Sequence, residues 1–296
     1  MKSTGLALAL MACIVSSAFF ASEASAAEHG PQVGDATRIV MVRESKQQGD
    51  NGSSGTSHDR DTIIERVIAV SNAGVTLEFD LPDEASAEDR ASAWQYPFRV
   101  LKTPGGSIQL LDRAALNARV DKWLKAANWT RDVCGHWIFT WNAFQIECDP
   151  EMVLKIAEAF DLPQKVGEGV IYRDKNARGT GTIRRTANSP HGATFAVDLE
   201  VDPDTVRRAR AESDVVVGEI MRKPVTLGDA LEKRSKESIS GTISIVFETT
   251  LDGQVHRRTK VSKVQTKFPD GHIKTETATQ TLERRPVART DSATTT

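Results

Sequence analysis

The sequence predicts an α+β protein that is mostly antiparallel β, with two to three helices inserted mid-chain. Three observations carry this reading: alternating apolar residues ending in hairpin turns near the C-terminus, long β-branched runs near the N-terminus, and helical apolar spacing only between them. In the C-terminal part, Ile243, Ile245, Phe247, Thr249 and Leu251 fall on one strand face that ends in Asp252-Gly253, a strong hairpin signal. Pro269-Asp270-Gly271 turns the chain again into Ile273, Thr275, Thr277 and Thr279, so residues 240–284 read as a three-stranded meander. Its middle strand carries Val255, Thr259 and Val261, then Val264, Thr266 and Phe268. The odd step between these sets predicts a bulge near Ser262 and Lys263.

A second meander is expected over about 36–111. Ala36 to Glu44 and Thr62 to Val70 are β-branched runs, and Val75, Leu77, Phe79 and Leu81 alternate. Between the first two runs, Gln47 to Ser57 is rich in Gly, Ser and Asn and reads as a mobile loop. A further strand pair, Trp94 to Lys102 and Ser107 to Leu111, is joined through Pro104-Gly105-Gly106. Pro97 makes the first of these an edge strand or a bent one.

Helices are predicted in the middle. Asp112 is placed to cap a helix over about 113–127, with Leu116, Val120, Trp123 and Leu124 at helical spacing. Asp149-Pro150-Glu151 opens a second over about 150–162, which carries Val153, Ile156, Ala157 and Phe160 and stops before Pro163. Asp202-Pro203 starts a third over about 203–222, although Val215-Val216-Val217 leaves 203–237 open between helix and strand. Residues 286–296 are rich in Thr, Ser and Ala and read as a disordered tail. The expectation is one β-rich domain over 27–285.

The N-terminus sets the compartment. Lys2 is the only charge ahead of a fifteen-residue apolar run from Leu6 to Phe20, which Ala24-Ser25-Ala26 follows. A charged start, a short apolar middle and an A-x-A site define a cleavable signal peptide over 1–26. The run falls short of the roughly 20 residues that a spanning helix needs. The expected protein is therefore soluble and periplasmic in a Gram-negative cell, begins near Ala27 and has no transmembrane segment. An alternative takes Leu10-Met11-Ala12-Cys13 as a lipoprotein site, but Met fits that site poorly and apolar residues continue past Cys13. Loss of Cys13 leaves Cys134 and Cys148, an even pair expected to form a disulfide in an oxidising compartment. Zinc is the competing reading, with His136 as a nearby ligand but without C-x-x-C spacing.

Composition excludes little. Apolar content of 39% suits a globular chain, and a net charge of −2 favours no particular partner; no nucleic-acid partner is expected. Glu78 to Asp89 is an acidic block, whereas Arg257, Arg258, Lys260, Lys263, Lys267 and Lys274 make the C-terminal region basic. Arg258, Lys260 and Lys263 form the candidate patch for anionic headgroups. The bland alternative is a solvated face that discourages edge pairing. Trp129 to Cys148 gathers Trp129, Trp137, Phe139, Trp141 and Phe144. Trp129, Trp137 and Trp141 are candidate ligand contacts, set against a mini-core beneath the disulfide.

No G-x-S-x-G, H-E-x-x-H or Walker loop is present, so no catalytic residue, metal site or cofactor is assigned. Ser57-His58-Asp59-Arg60-Asp61 sets an imidazole beside two carboxylates, but on a strand His58 and Asp59 point to opposite faces. Gly52-Ser53-Ser54-Gly55 lacks the Lys of a phosphate loop, and Gly179-Thr180-Gly181 lacks the third glycine of a dinucleotide turn. Asn51-Gly52-Ser53 and Asn128-Trp129-Thr130 match glycosylation acceptors by composition alone.

Long strands at both ends, helices between them and export together resemble the half-barrel of periplasmic lipoprotein carriers and related lipid-binding proteins. The chain is also similar to exported proteobacterial proteins of unknown function. The resemblance is architectural and carries over no site residue. It implies a curved open sheet wrapping helices around an apolar cavity. The resulting expectation is a non-enzymatic soluble envelope protein that binds a lipid or other apolar ligand or an envelope component. The alternatives are a hydrolase with an unrecognised site and a structural or interaction module. Oligomeric state is left open.

Overall fold

The computed structural model describes residues 30–139 and 143–287. The expected leader, Cys13, Trp141 and residues 288–296 of the tail lie outside the described residues, as do the side chains of Phe139 and Phe144. The chain begins with β1 (Ala36–Gly49), β2 (Ser54–Ser71), β3 (Gly74–Asp80), helix α1 (Ala87–Ser92), β4 (Phe98–Lys102) and β5 (Ile108–Leu111). Helix α2 (Arg113–Ala126), the short hairpin β6 (Trp137–Phe139) and β7 (Ala143–Gln145), and helix α3 (Met152–Ala159) follow. Three two-residue strands, β8 (Ile171–Tyr172), β9 (Ala177–Arg178) and β10 (Gly181–Thr182), lead into β11 (Arg184–Ser189) and β12 (Gly192–Val201). Helices α4 (Pro203–Ile220) and α5 (Leu227–Ser235) precede the closing meander of β13 (Ser238–Thr249), β14 (Val255–Lys267) and β15 (Ile273–Pro286).

Eleven strands make one antiparallel sheet, in the order β11-β12-β13-β14-β15-β1-β2-β3-β4-β5 with β9 beside β12. The sheet is open and curved and does not close into a barrel. β15 pairs with β1, with Leu282 opposite Met41, so the two meanders join mid-sheet. Residues directly opposite each other share a face, which lets the inner face be read across the strands. One row runs Val197, Ile245, Lys260, Gln280, Arg43 and Asp59. In this row the flank is apolar and the middle is polar, whereas the next row keeps Leu282 and Met41 buried on the middle strands.

Each flank has its own cover. Ile39, Ile63, Phe79, Phe98 and Val100 share one buried cluster with Leu116, Val120 and Leu124 of α2 and Val153 and Ala157 of α3. On the other flank, the Tyr172 ring stands edge-on to Phe247 at 5.6 Å, and Ile183 is buried in the same cluster. Gly181 permits this cover, because a Cβ there would lie 2.6 Å from Val197 Cγ2 and 2.8 Å from Leu199 Cδ2.

Several local expectations need correction. No bulge forms at Ser262 and Lys263: the β13–β14 register is unbroken from Ser238 opposite Lys267 to Glu248 opposite Arg257, and slips only between Glu248 and Thr249. Val261 lies on the outer face and Val264 on the inner, and both are half-buried, so burial imposes no single apolar phase on β14. The predicted mobile loop at Gln47 to Ser57 is mostly strand, with Gln48 opposite Ser54 and a tight turn in which Gly49 N donates to Ser53 O at 2.7 Å. Pro97 immediately precedes β4, which is an interior strand. Asp112 adopts φ 56° and makes no capping hydrogen bond. α3 opens at Met152, with Asp149 Oδ1 accepting from Glu151 N ahead of it. The region 203–237 is helical in two segments, α4 and α5.

Candidate ligand-binding groove

Helix α4 is well started and loosely covered. Pro203 sits in its first turn, and Asp202 Oδ1 accepts from Asp204 N at 3.1 Å, which satisfies one of the free N–H groups there. Only Ala211 and Gly218 of the helix are buried. Polar ties hold it instead. Arg234 of α5 donates to both carboxylate oxygens of Asp214, at 2.6 and 2.8 Å, and to Glu237 Oε1 at 2.6 Å. Arg210 reaches the same Glu237 oxygen at 3.3 Å, and its guanidinium lies 5.2 Å from the Phe268 ring centroid.

These ties have electrostatic consequences. The Arg234 hydrogen bonds hold the Asp214 carboxyl below its ordinary range, and Asp214 in turn raises the Arg234 guanidinium. Glu237 is only 4% exposed, so its carboxylate depends on these two arginines. Arg210 Nε lies 3.1 Å from Glu237 Oε2, yet the N–H is not aimed at it and neither atom gains a hydrogen bond.

Between α4 and the inner face of β14 and β15 the helix stands off the sheet, leaving a cavity of about 300 Å³. Val201, Val206, Ala209 and Val264 give it an apolar wall, and Lys274 and Glu276 stand on its β15 side. The last two are half-buried, and among the described residues neither makes an ion pair or a side-chain hydrogen bond. As alternate residues of one strand they share a face. Ala209 and Ser213 are exposed, so the cavity opens to solvent along the helix. Among the described residues that line it, none is His, Asp or Cys.

The residues singled out from sequence lie elsewhere. Cys134 and Cys148 form the expected disulfide, which commits both sulfurs and leaves no thiolate for zinc. Trp129 packs edge-on against Trp123 at 5.8 Å, half-buried beside the core, and Trp137 is half-buried with its backbone N–H donating to Glu219 Oε1 at 3.3 Å. Neither lines the cavity.

Arg258, Lys260 and Lys263 do not form one patch. Arg258 and Lys260 face inward, where Arg258 donates to Gln280 Oε1 at 3.3 Å and Lys260 pairs with Asp174 at 2.6 Å. Lys263 is exposed on the opposite face. His58 sits 3.3 Å from Glu44 on the outer face, while Asp61 pairs with Arg43 on the inner face. Strand alternation separates that group, as its spacing required.

The groove itself was missed by sequence reasoning. The paired turn of α5, in which Thr226 Oγ1 accepts from Asp229 N at 3.1 Å, matches the Ser/Thr-x-x-acid signature of a helix start. That signal reveals the second helix of 203–237, but no local pattern reveals the gap beneath α4.

No protein-family model matches the chain, and no curated protein matches it in sequence. Among solved structures it is similar to one of lipid-protein interactions in lipovitellin, at 10% identity and a TM-score of 0.41 over 88% of this chain. The chain spans only 26% of the lipovitellin chain. It is also similar to Ail, the attachment invasion locus protein of Yersinia pestis, at 4% identity and a TM-score of 0.17, over 86% of this chain and 100% of Ail. At these TM-scores neither likeness bears on function. Among the described residues no helix is long and apolar enough to cross a membrane.

Proposed function

We propose that the chain is a non-enzymatic binding protein of the periplasm that holds a single-chain amphiphile in the groove beneath α4. Its apolar part lies against Val201, Val206, Ala209 and Val264, and its head meets Lys274 and Glu276. The observation that carries this reading is the pairing of an apolar wall with two uncommitted, opposite charges in one open cavity of about 300 Å³. That volume is at the small end of the roughly 300–1,000 Å³ range of small-molecule sites, which favours one chain over a whole diacyl lipid. Half-buried charges gain most from a ligand that supplies partners, so a head bearing both an acid and an amine fits best. The leader at residues 1–26 and the disulfide support export.

Extraction and mass spectrometry of the purified protein should yield a copurifying amphiphile. Lysophosphatidylethanolamine should bind more tightly than a neutral alkyl glycoside, and Val264→Trp, which fills the groove, should abolish both. An empty protein that binds neither probe, or a Trp variant that binds like the wild type, removes the proposal.

A further inference from the structure

Among the described residues, the turn joining α4 to α5 gathers exposed apolar surface in a way no other segment does. Val217 is 49% exposed, Met221 61%, Val225 37% and Leu227 36%, so four large apolar side chains stand in solvent within eleven consecutive residues. Isolated exposed apolar residues are ordinary, but a local group at the tip of a helical hairpin marks an interaction surface. Its charge is one-sided. Arg222 and Lys223 are exposed at the same tip and make no ion pair among the described residues. Glu219, the one acid between Val217 and Leu227, is engaged by His136 at 3.5 Å and by the backbone N–H of Trp137 at 3.3 Å.

Apolar side chains that can enter an acyl boundary, set beside unpaired cations, complement an anionic bilayer surface. A soluble protein partner of matching shape would leave the cations needing acids of its own, whereas lipid phosphates supply them everywhere. The tip is also continuous with the groove. Val206, Ala209, Ser213 and Val217 step by three or four residues along α4 and lead on to Met221, which puts them on one helical stripe about 22 Å long. The stripe that lines the cavity as far as Ser213 therefore continues along α4 to the tip.

We infer that the α4–α5 tip docks the protein on anionic bilayers, with the groove mouth leading to the contact; the docking stands on the tip alone, and only the delivery of ligand along α4 rests on the proposed binding role. Cosedimentation tests it with vesicles of equimolar phosphatidylglycerol and phosphatidylcholine against pure phosphatidylcholine. Wild type should favour the anionic vesicles. Arg222→Gln with Lys223→Gln should weaken that partition about 25-fold, at about fivefold for each cation near the surface. Val217→Ser with Met221→Ser should weaken binding at least tenfold, including in 1 M salt, where charge is screened within about 3 Å.

Both variants change only exposed side chains, so they should unfold at the wild-type midpoint and load lysophosphatidylethanolamine from solution like the wild type. Equal binding to both vesicle types, unchanged partition in the tip variants, or a loss caused instead by Lys263→Gln on the outer face would overturn the docking. Loss of loading in Val264→Trp with vesicle binding intact bears on the groove and leaves the tip standing.

Discussion

The flanks of the inner face and the part of its middle strands that faces α4 are built from different materials. On the flanks, Phe247, Ile245 and Val197 on one side and Ile39, Phe98 and Val100 on the other are at or near zero exposure. In the middle, the row of Ile245 carries Lys260, Gln280, Arg43 and Asp59, and Ser262, Thr266, Lys274 and Glu276 line the space beneath α4, although Leu282 and Met41 are buried in the next row. An apolar middle would have drawn α4 onto the sheet to bury it. The polar middle leaves α4 tied sideways to α5 and keeps a gap beneath it. The difference teaches that the strands facing α4 bury little apolar surface against the helix, and that the space left there is open to a ligand.

The largest expected effect contrasts the two directly. Phe247→Ala removes a ring that is 0% exposed and should cost about 3–5 kcal/mol in urea unfolding. Ser262→Ala, in the middle and lining the groove, should stay within about 0.5 kcal/mol. Comparable losses at both positions would end the division between flank and centre.

Next is the bond at the edge of one covered flank. Cys134 and Cys148 are separated by 14 positions and bonded, and both pack with the cluster that contains α2 and α3. Replacing both with Ser should cost about 3 kcal/mol in the chain-entropy account. If the groove belongs to the centre, ligand affinity in the folded variant should not change. A weakened affinity at constant fold would tie the disulfide hairpin to the site.

Much of this division was legible in the sequence, and the illegible part has a definite cause. Ile243, Ile245 and Phe247 before Asp252-Gly253 gave β13 and its turn because local alternation and turn chemistry agreed. Asp202-Pro203 marked the start of α4 for the same reason. Phe195, Val197, Leu199 and Val201 alternate equally well and were open to the same reading, yet β12 was overlooked. The inward pairing of Lys260 with Asp174 was out of reach, since two residues 86 positions apart meet only when the 163–183 segment covers β14. The groove is hidden for the same reason: Val206, Val264 and Lys274 come from a helix and two strands, and the space between them has no local pattern.

A smaller and signed effect tests the boundary between flank and centre, where Glu65 lies opposite Phe79. Burial raises the Glu65 carboxyl above its ordinary value, against the pull of Arg284, which hydrogen-bonds to it. Between the unfolded value of 4.5 and the higher folded one, the native state binds more protons than the unfolded state. Stability contributed by this group is therefore full below that window and falls as pH rises through it. Urea unfolding of Glu65→Gln across the same range should lose that fall. An unchanged slope would mean that Glu65 stays ionised against Arg284 throughout.

The smallest expected effect on stability is at Lys274, and it sharpens the comparison most. The side chain is half-buried on the inner face, lines the groove and has no ion-pair partner among the described residues. Removing a charge that nothing offsets should leave stability within about 0.5 kcal/mol. If Lys274 meets the acid of a bound head, Lys274→Gln should weaken lysophosphatidylethanolamine binding about fivefold, the worth of roughly 1 kcal/mol for a partly exposed pair. The neutral alkyl glycoside should be indifferent to the change. A matched loss for both probes would place Lys274 in the shape of the groove and not in recognition of the head. A gain in stability with no change in binding would make it an uncompensated charge that the curved sheet merely tolerates.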